Sequence, residues 1–269
     1  MEASSSRSAG SVCSLSHLVA KAGWGDVLLF RCRSMTAAAL RVVTLCEWDH
    51  VAVVVNDSEG NLLMLESCVA GTLVFPLQSR LHEYSREFAD AVGWRRLLRT
   101  QLPDETGCEA AMRAFVDDVD GLRAAAPRDA PKMMLTPSGC WLEEPRWLNG
   151  HGAGRPIVPH PPVAESYFCS ETVVELWRRC GLVPSGIGAA AFWPPDMADG
   201  GKLEPLLEST KCARLEPMLR VDFNIERGSS TTESSTTEVP LGVVHKPVRP
   251  AAYVGVGDSL LCGGARKAY

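Results

Sequence analysis

The sequence predicts an α+β fold in which an antiparallel sheet packs against a helix that carries a cysteine in its first turn. Two observations lead to this prediction. A β-branched run that begins at Trp48 is followed by a turn cluster and by a second apolar run that ends at Glu66, which is typical of a hairpin. Later in the chain, residues 169–180 space their apolar side chains as one buried helical face does.

The segments before the hairpin supply the start of the predicted sheet. Residues 12–21 are expected to form a short helix, and residues 25–30 form a strand that opens with Gly-Asp. The Ala-rich run from Met35 to Leu45 fits either a helix or an approach to the next strand, and its periodicity does not decide between them.

The hairpin brings a histidine and a carboxylate side by side. If it is symmetric about Ser58, His50 lies opposite Glu66 and Val54 lies opposite Leu62, with opposed Cβ atoms roughly 5 Å apart. A carboxylate beside an imidazole orients the ring and stabilises its protonated form. Taken singly, the histidine also fits a strand-end residue whose hydrogen bonds are satisfied. The glutamate, taken singly, also fits a strand-end carboxylate in water.

Three further elements follow the hairpin. Residues 69–77 are expected to be extended, and Pro76 indicates an edge strand because proline cannot donate to a ladder. Residues 91–98 form another predicted strand. Residues 106–125 form a helix with a capping box between Thr106 and Glu109. Its predicted buried stripe is Cys108, Ala111, Met112, Phe115, Val119 and Leu122.

The cysteine helix has signals at both ends. Glu171 lies in its first turn, two arginines lie in its last, and Gly181 supplies the stop. A thiol at a helix N-terminus, here Cys169, faces unpaired backbone N–H groups and a partial positive charge, both of which favour the thiolate. The alternative is a small buried core residue, since free cysteine is among the most buried side chains.

Taken in order, these segments resemble the permuted branch of the NlpC/P60 superfamily, the papain-like thiol hydrolases in which the histidine precedes the cysteine. The resemblance rests on residues 25–30, 49–54, 65–67 and 167–171. Residues 193–198 are also similar to the Pro-x-Asp-aliphatic segment that follows the cysteine helix in YiiX-like members. The resemblance as a whole covers roughly residues 22–210.

The resemblance implies a circularly permuted papain-like (NlpC/P60) fold with Cys169 as nucleophile, His50 as general base and Glu66 as the orienting third member. The implied activity is that of a cysteine-dependent hydrolase or acyltransferase acting on an amide, thioester or ester bond in a peptide-like or lipid acyl substrate. The backbone N–H of Cys169 would contribute to an oxyanion hole, with Tyr167 and Trp48 as weaker candidates for the pocket. No cofactor or metal is expected. The alternative is a catalytically silent papain-like scaffold or a subunit of a larger complex.

Composition limits the classes of partner and the cellular compartments that fit this chain. The net charge of −5 and the scattered basic residues argue against a nucleic-acid surface. No stretch approaches the 18 or more apolar residues of a membrane helix, and no integral membrane segment is expected. The ten cysteines include no Cys-x-x-Cys pair, and the sequence shows no secretory leader. Free thiols in a reducing compartment are therefore expected. The expected location is the cytoplasm, with an organelle as the open alternative.

Four regions are predicted along the chain. Residues 1–21 are an N-terminal lead, and residues 22–227 are the papain-like domain. A Pro-rich insertion at about 127–162 interrupts that domain and is expected to be either a lid over the thiol or a surface excursion. Residues 228–238 are a Ser/Thr linker, and residues 239–269 are a tail with enough apolar residues to dock on the domain or to bind a partner protein.

Overall fold

A central β-sheet flanked by helices on both faces organises the fold. The computed structural model describes residues 11–68, 70–102, 104–122 and 167–224. The strands in these residues are β1 (Val12–Ser14), β2 (Val27–Cys32), β3 (His50–Asn56), β4 (Leu62–Cys68), β5 (Gly71–Pro76), β6 (Ala89–Arg95), β7 (Leu97–Arg99), β8 (Ala213–Leu215) and β9 (Leu219–Asp222). The α-helices there are α1 (Leu15–Lys21), α2 (Met35–Thr44), α3 (Leu77–Glu83), α4 (Glu105–Val119), α5 (Cys169–Arg179) and α6 (Leu203–Thr210).

Shorter helical turns complete the described part of the chain. A π-helical turn, Tyr84–Phe88, follows α3 directly, and 3₁₀ turns occur at Ala189–Ala191 and Pro194–Met197. The last of these lies in the segment that resembles the Pro-x-Asp motif. The fold is therefore mixed α+β, as the sequence predicts.

The large sheet has seven strands in the order β1-β9-β6-β2-β3-β4-β5. Its neighbouring strands are antiparallel except for β1, which pairs parallel to β9. Strands β7 and β8 form a separate antiparallel pair. Strand β5 lies at the edge, which confirms the position expected from Pro76.

Both faces of the sheet are buried. One face packs against α4 and α5, and its core includes Val51, Val53 and Trp177. The opposite face is covered by α1, α3 and the π-helical turn, and its core includes Ala52, Val54 and Tyr84. Burial on both sides explains why β3 is a continuous apolar run instead of an alternating one.

The hairpin is present, but its predicted register is wrong by two residues. Val54 pairs with Met64, not with Leu62, and Asn56 closes the ladder against Leu62. The turn sets this register, because the Asp57 backbone N–H donates to the Asn61 carbonyl and the Asp57 carboxylate accepts from the backbone N–H of Asn61 at 2.8 Å. The turn is therefore centred on Glu59. A shift of two preserves the faces, so His50 and Glu66 still project to the same side.

Three other segments refine the prediction. Residues 12–21 divide into β1 and α1, with the Ser14 side chain capping the helix by accepting from the His17 N–H. The undecided run is the helix α2, and the Ser34 side chain caps it in the same way. The predicted strand at 91–98 divides into β6 and β7.

The predicted capping box of α4 is wrong. Asp104 is the N-cap, and its side chain accepts from the Gly107 N–H at 2.9 Å, whereas Glu109 pairs with Arg113. Aspartate is among the strongest N-cap residues, so the helix begins where its carboxylate is available. The helix ends at Val119, before Leu122 of the predicted stripe.

Several predictions lie outside the described residues. These are residues 1–10 of the lead, the insertion at about 127–162, the linker at 228–238 and the tail at 239–269.

Candidate active site

Cys169 is the first residue of α5, as predicted. The start of the helix is fixed by Glu171, whose side chain accepts from the Phe168 backbone N–H at 2.8 Å. Val173 and Trp177, further along the same stripe, are buried, whereas Cys169 is only half-buried. The thiol therefore sits at the N-terminal end of α5, where the backbone N–H groups of the first turn have no partner within the helix.

Strand β4 and helix α5 are joined by side-chain hydroxyls. The Oγ of Ser67 lies 2.6 Å from the Oγ1 of Thr172 and 2.7 Å from the Oγ1 of Thr72. Thr172 also donates to the Phe168 carbonyl at 3.0 Å. This buried chain of hydroxyls fixes the first turn of α5 against the strand that carries Glu66.

His50 begins β3 and lies between the thiol and the carboxylate. Its Nε2 is 3.0 Å from Glu66 Oε2, and its ring is close enough to Cys169 for a side-chain hydrogen bond. Burial by itself lowers the pKa of His50, but the charge and hydrogen bond of Cys169, followed by those of Glu66, outweigh it and raise the pKa to about 10. These two contacts therefore favour the protonated form of the ring.

Glu66 is fully buried, and three side chains satisfy it. Besides His50, Arg80 donates from Nη2 to Oε1 at 2.6 Å and from Nε at 2.8 Å, and the Tyr84 hydroxyl donates to Oε2. Burial opposes ionisation of Glu66, but His50, Arg80 and Tyr84 more than offset it, so the pKa of the carboxyl is lowered. The buried carboxylate remains charged beside the imidazolium.

Arg80 and Tyr84 are positioned by aromatic contacts. The Arg80 guanidinium lies over the Phe75 ring at 4.2 Å, and the Tyr84 ring stacks on Phe30 with centroids 4.0 Å apart. Sequence reasoning missed both residues. The signal available was their i, i+4 spacing just after the Pro76 edge, which puts a cation and a phenol on one helical face. Tyr84 begins the π-helical turn, a feature that is frequent at functional sites.

Asp49 anchors the backbone next to His50. Its carboxylate accepts from the Cys32 N–H at 3.0 and 3.1 Å and from the Arg41 guanidinium. Arg41 also donates to the Cys32 carbonyl at 2.7 Å. The end of β2, the helix α2 and the start of β3 are thereby held together at the end of the sheet where His50 lies.

The two weaker candidates for the pocket are both buried. The Tyr167 ring packs edge-to-face on Phe115 of α4 with centroids 5.8 Å apart, and the Trp48 ring lies under the Arg220 guanidinium at 5.5 Å. Both stay predictions as pocket residues.

The eight cysteines of the described residues are all free. Burial raises the pKa of Cys13, Cys108 and Cys180, the last to about 12. Burial, with Asp49 and then Cys169, also raises the pKa of Cys32 well above its usual range. Over residues 11–68, 70–102, 104–122 and 167–224, no three histidine, cysteine or acidic side chains are grouped so that they could hold a metal ion.

The chain has a distant structural neighbour. It is the crystal structure of the metalloprotein yiiX from Escherichia coli O157:H7, which is similar with a TM-score of 0.39 and 12% sequence identity over 62% of this chain and 69% of that chain. No family model matches the sequence, and no curated protein matches it. Of the helices that the structure describes, none combines the length and the apolarity needed to cross a bilayer.

Proposed function

We propose that this protein is a cysteine-dependent hydrolase or acyltransferase with a circularly permuted papain-like fold. Its substrate would be an amide, thioester or ester, either peptide-like, as for a thiol protease, or a lipid acyl group. The observation that supports this most directly is the line of hydrogen bonds through His50, with Cys169 on one side of the imidazole and buried Glu66 on the other.

The chemistry follows from the charge on each group. The Cys169 thiolate attacks the carbonyl carbon, and the negative charge that develops on the carbonyl oxygen is stabilised by N–H groups of the first turn of α5. His50 then gives its proton to the leaving nitrogen, oxygen or sulfur, and an acyl-thioester remains on Cys169. In the second half, neutral His50 takes a proton from the incoming water or acceptor, which attacks the thioester and regenerates the thiolate.

Glu66 acts on this cycle through His50. Its carboxylate holds the ring by Nε2 and stabilises the imidazolium, while Arg80 and Tyr84 keep the carboxylate itself in place. Two donors on Glu66 besides His50 mean that the carboxylate stays oriented during the part of the cycle in which the histidine is neutral.

An acyl probe tests this proposal. The full-length protein is incubated with an activated acyl thioester, and intact mass with peptide mapping identifies the modified residue. We expect one acyl group on Cys169, turned over by water or by an added amine or alcohol, and the ratio of these products distinguishes hydrolase from transferase. Cys212→Ala, at another half-buried thiol, is the matched control and should be acylated normally.

Two results would contradict the proposal. The first is equal acylation and turnover in Cys169→Ala. The second is a folded protein that yields no Cys169-dependent turnover with amide, thioester and ester substrates, which would favour the catalytically silent scaffold.

A further inference from the structure

Two buried cysteines face each other across α4 and α5. Cys108 lies near the start of α4, and Cys180 is the residue that caps the end of α5. The Cys108 thiol donates to the Cys180 carbonyl at 3.1 Å, and the Cys180 thiol donates to the Cys108 carbonyl at 3.4 Å. Because each thiol contacts the backbone of the other residue, both side chains are directed at their partner. We refer to Cys108 and Cys180 as the thiol pair.

The thiol pair meets the directional requirement for a disulfide. A bond between two cysteines needs Cα atoms within about 7 Å and side chains that converge. Reciprocal contacts between each sulfur and the other residue's carbonyl bring the two backbones side by side and make the side chains converge. Rotation about the Cα–Cβ bonds then turns each sulfur from the carbonyl oxygen to the other sulfur, and neither helix has to move far.

Adjacent side chains keep α4 and α5 in this arrangement. Arg179, which precedes Cys180, pairs with Asp118 of α4 at 3.2 Å, and its guanidinium lies over the Phe115 ring at 4.9 Å. Both cysteines also belong to the core cluster that joins the two helices to the sheet. The two sulfurs are therefore held near each other by the folded structure and do not depend on a chance encounter.

Other thiols are less well placed to react with the thiol pair. Cys212 interacts with Cys108, but its own sulfur donates to the Thr210 carbonyl at 3.3 Å. Cys13 lies in the core on the opposite face of the sheet. Cys169 begins α5, and a helix of this length separates it from the C-cap by about 16 Å.

We infer that Cys108 and Cys180 are a site of reversible oxidation, where a peroxide converts the two thiols to a disulfide that ties α4 to the end of α5. One sulfur attacks a peroxide oxygen, the O–O bond breaks, and a sulfenic acid and water are formed. The second sulfur attacks the sulfenic sulfur, the S–O bond breaks, and the S–S bond forms as another water leaves. The thiols lose two electrons and two protons, and hydrogen peroxide takes up both.

The surroundings of the thiol pair make this oxidation slow and its product stable. Burial raises the pKa of both thiols, that of Cys180 to about 12, so little thiolate is present near neutral pH and the pair stays reduced until a peroxide is supplied. The two residues are 72 positions apart, and a bond that closes so long a loop restricts the unfolded chain. The oxidised protein should therefore resist unfolding. The inference concerns the end of α5 opposite Cys169 and does not rest on the proposed function.

Mapping of crosslinked peptides tests this inference. Full-length wild type, Cys169→Ala, Cys13→Ala and Cys180→Ala are treated with hydrogen peroxide, and the remaining thiols are blocked with N-ethylmaleimide in denaturant. Unreduced peptides are then identified by mass spectrometry. We expect a Cys108–Cys180 disulfide as the main crosslink in the first three proteins, reversed by dithiothreitol. Their melting temperature should rise on oxidation by about 5–10 °C, and that of Cys180→Ala should not rise.

Three outcomes overturn the inference. The first is wild-type protein in which peroxide has consumed the Cys169 thiol without any Cys108–Cys180 crosslink. The second is Cys108 joined to Cys212, or to several cysteines equally. The third is a crosslinked protein that melts no higher than the reduced one, because such a bond does not fit the folded structure. If Cys180→Ala does not fold, the wild-type crosslink and its melting temperature still decide. Cys169→Ala crosslinks without the proposed nucleophile, so a failed acylation test and a failed crosslinking test are distinguishable.

Discussion

The Oγ of Ser67 lies 2.6 Å from the Oγ1 of Thr172, and this contact joins the strand of Glu66 to the helix of Cys169. Each residue is close in sequence to one part of the candidate site, so the pair fixes the distance between those parts. Both side chains are buried, where a hydroxyl that loses its partner is costly.

Ser67→Ala should therefore impair the site without removing any of its three proposed members. We expect a loss of about 1–3 kcal/mol in the free energy of unfolding, because Thr72 and Thr172 each lose a hydroxyl partner. Turnover should fall beyond what the loss of folded protein explains. Chemical denaturation and rate measurements on the same samples test this. Ser209→Ala, at an exposed hydroxyl, is the control and should leave both unchanged.

The protonation of His50 should depend on Cys169. The charge of Cys169 is the largest of the effects that raise the pKa of His50 to about 10, so Cys169→Ala should lower that pKa. NMR titration of the imidazole measures it directly. In the wild-type protein the proton is present below about pH 10 and is lost above it, so the rate of the proposed reaction should fall as pH rises through that value. An unchanged titration in Cys169→Ala would show that the two groups are not coupled.

Glu66→Gln should change the response of stability to acid. The pKa of Glu66 is lowered in the folded protein, so the unfolded chain binds the proton first. The stabilisation is thus complete above about pH 4.5, the ordinary value, and is lost as pH falls through the lower folded value. The variant should lose about 3 kcal/mol or more at neutral pH, because Arg80 keeps a buried charge without its full partner.

Denaturation curves at several pH values check the prediction for Glu66→Gln. Wild-type stability should decline more steeply than that of Glu66→Gln as pH falls below about 4.5. Glu83→Gln is the matched control, since Glu83 also pairs with Arg80 but is mostly exposed. Parallel acid profiles for wild type and Glu66→Gln would mean that Glu66 is not ionised in the folded state.

Tyr84→Phe should test how much the positioning of the Glu66 carboxylate matters when its charge is kept. The change keeps the ring that stacks on Phe30 and removes one donor to the carboxylate. Hydrogen bonds to charged groups contribute about 1.5–3 kcal/mol, so a loss of that size is expected in unfolding experiments. Turnover should fall less than in His50→Ala. A variant as inactive as His50→Ala would require a direct role for the phenol in the reaction.

Alkylation should discriminate among the thiols. Cys169 is half-buried and lies beside an imidazolium, whereas burial raises the pKa of Cys180 to about 12. Limited iodoacetamide treatment near neutral pH, followed by peptide mapping, should modify Cys169 first and Cys180 slowly. Faster modification of Cys180 would contradict the proposed activation.

The sequence was sufficient to predict local elements and the three central candidates. The thiol helix, the β3–β4 hairpin and the shared face of His50 and Glu66 follow from periodicity and from the residue types themselves. The hairpin register was missed, because it depends on how the Asp57 carboxylate organises the turn, and several turn lengths fit the same cluster of residues.

Arg80, Tyr84 and Asp49 were missed for a different reason. Their importance comes from buried partners on other elements. From sequence alone, a polar or charged residue is expected to lie in water unless its partner is known. Glu66 illustrates this, since a strand-end carboxylate in water was a reasonable interpretation before Arg80 and Tyr84 were seen to enclose it.

The contact between Ser67 and Thr172 spans 105 residues, and this has a consequence during protein synthesis. The ribosome completes the strands of His50 and Glu66 long before it reaches the helix of Cys169. Until that helix docks, the nascent chain has the acid and the histidine of the candidate site but not its thiol. The Cys169 thiol meets the imidazole only after the sheet has formed, so prematurely terminated chains cannot assemble the candidate site.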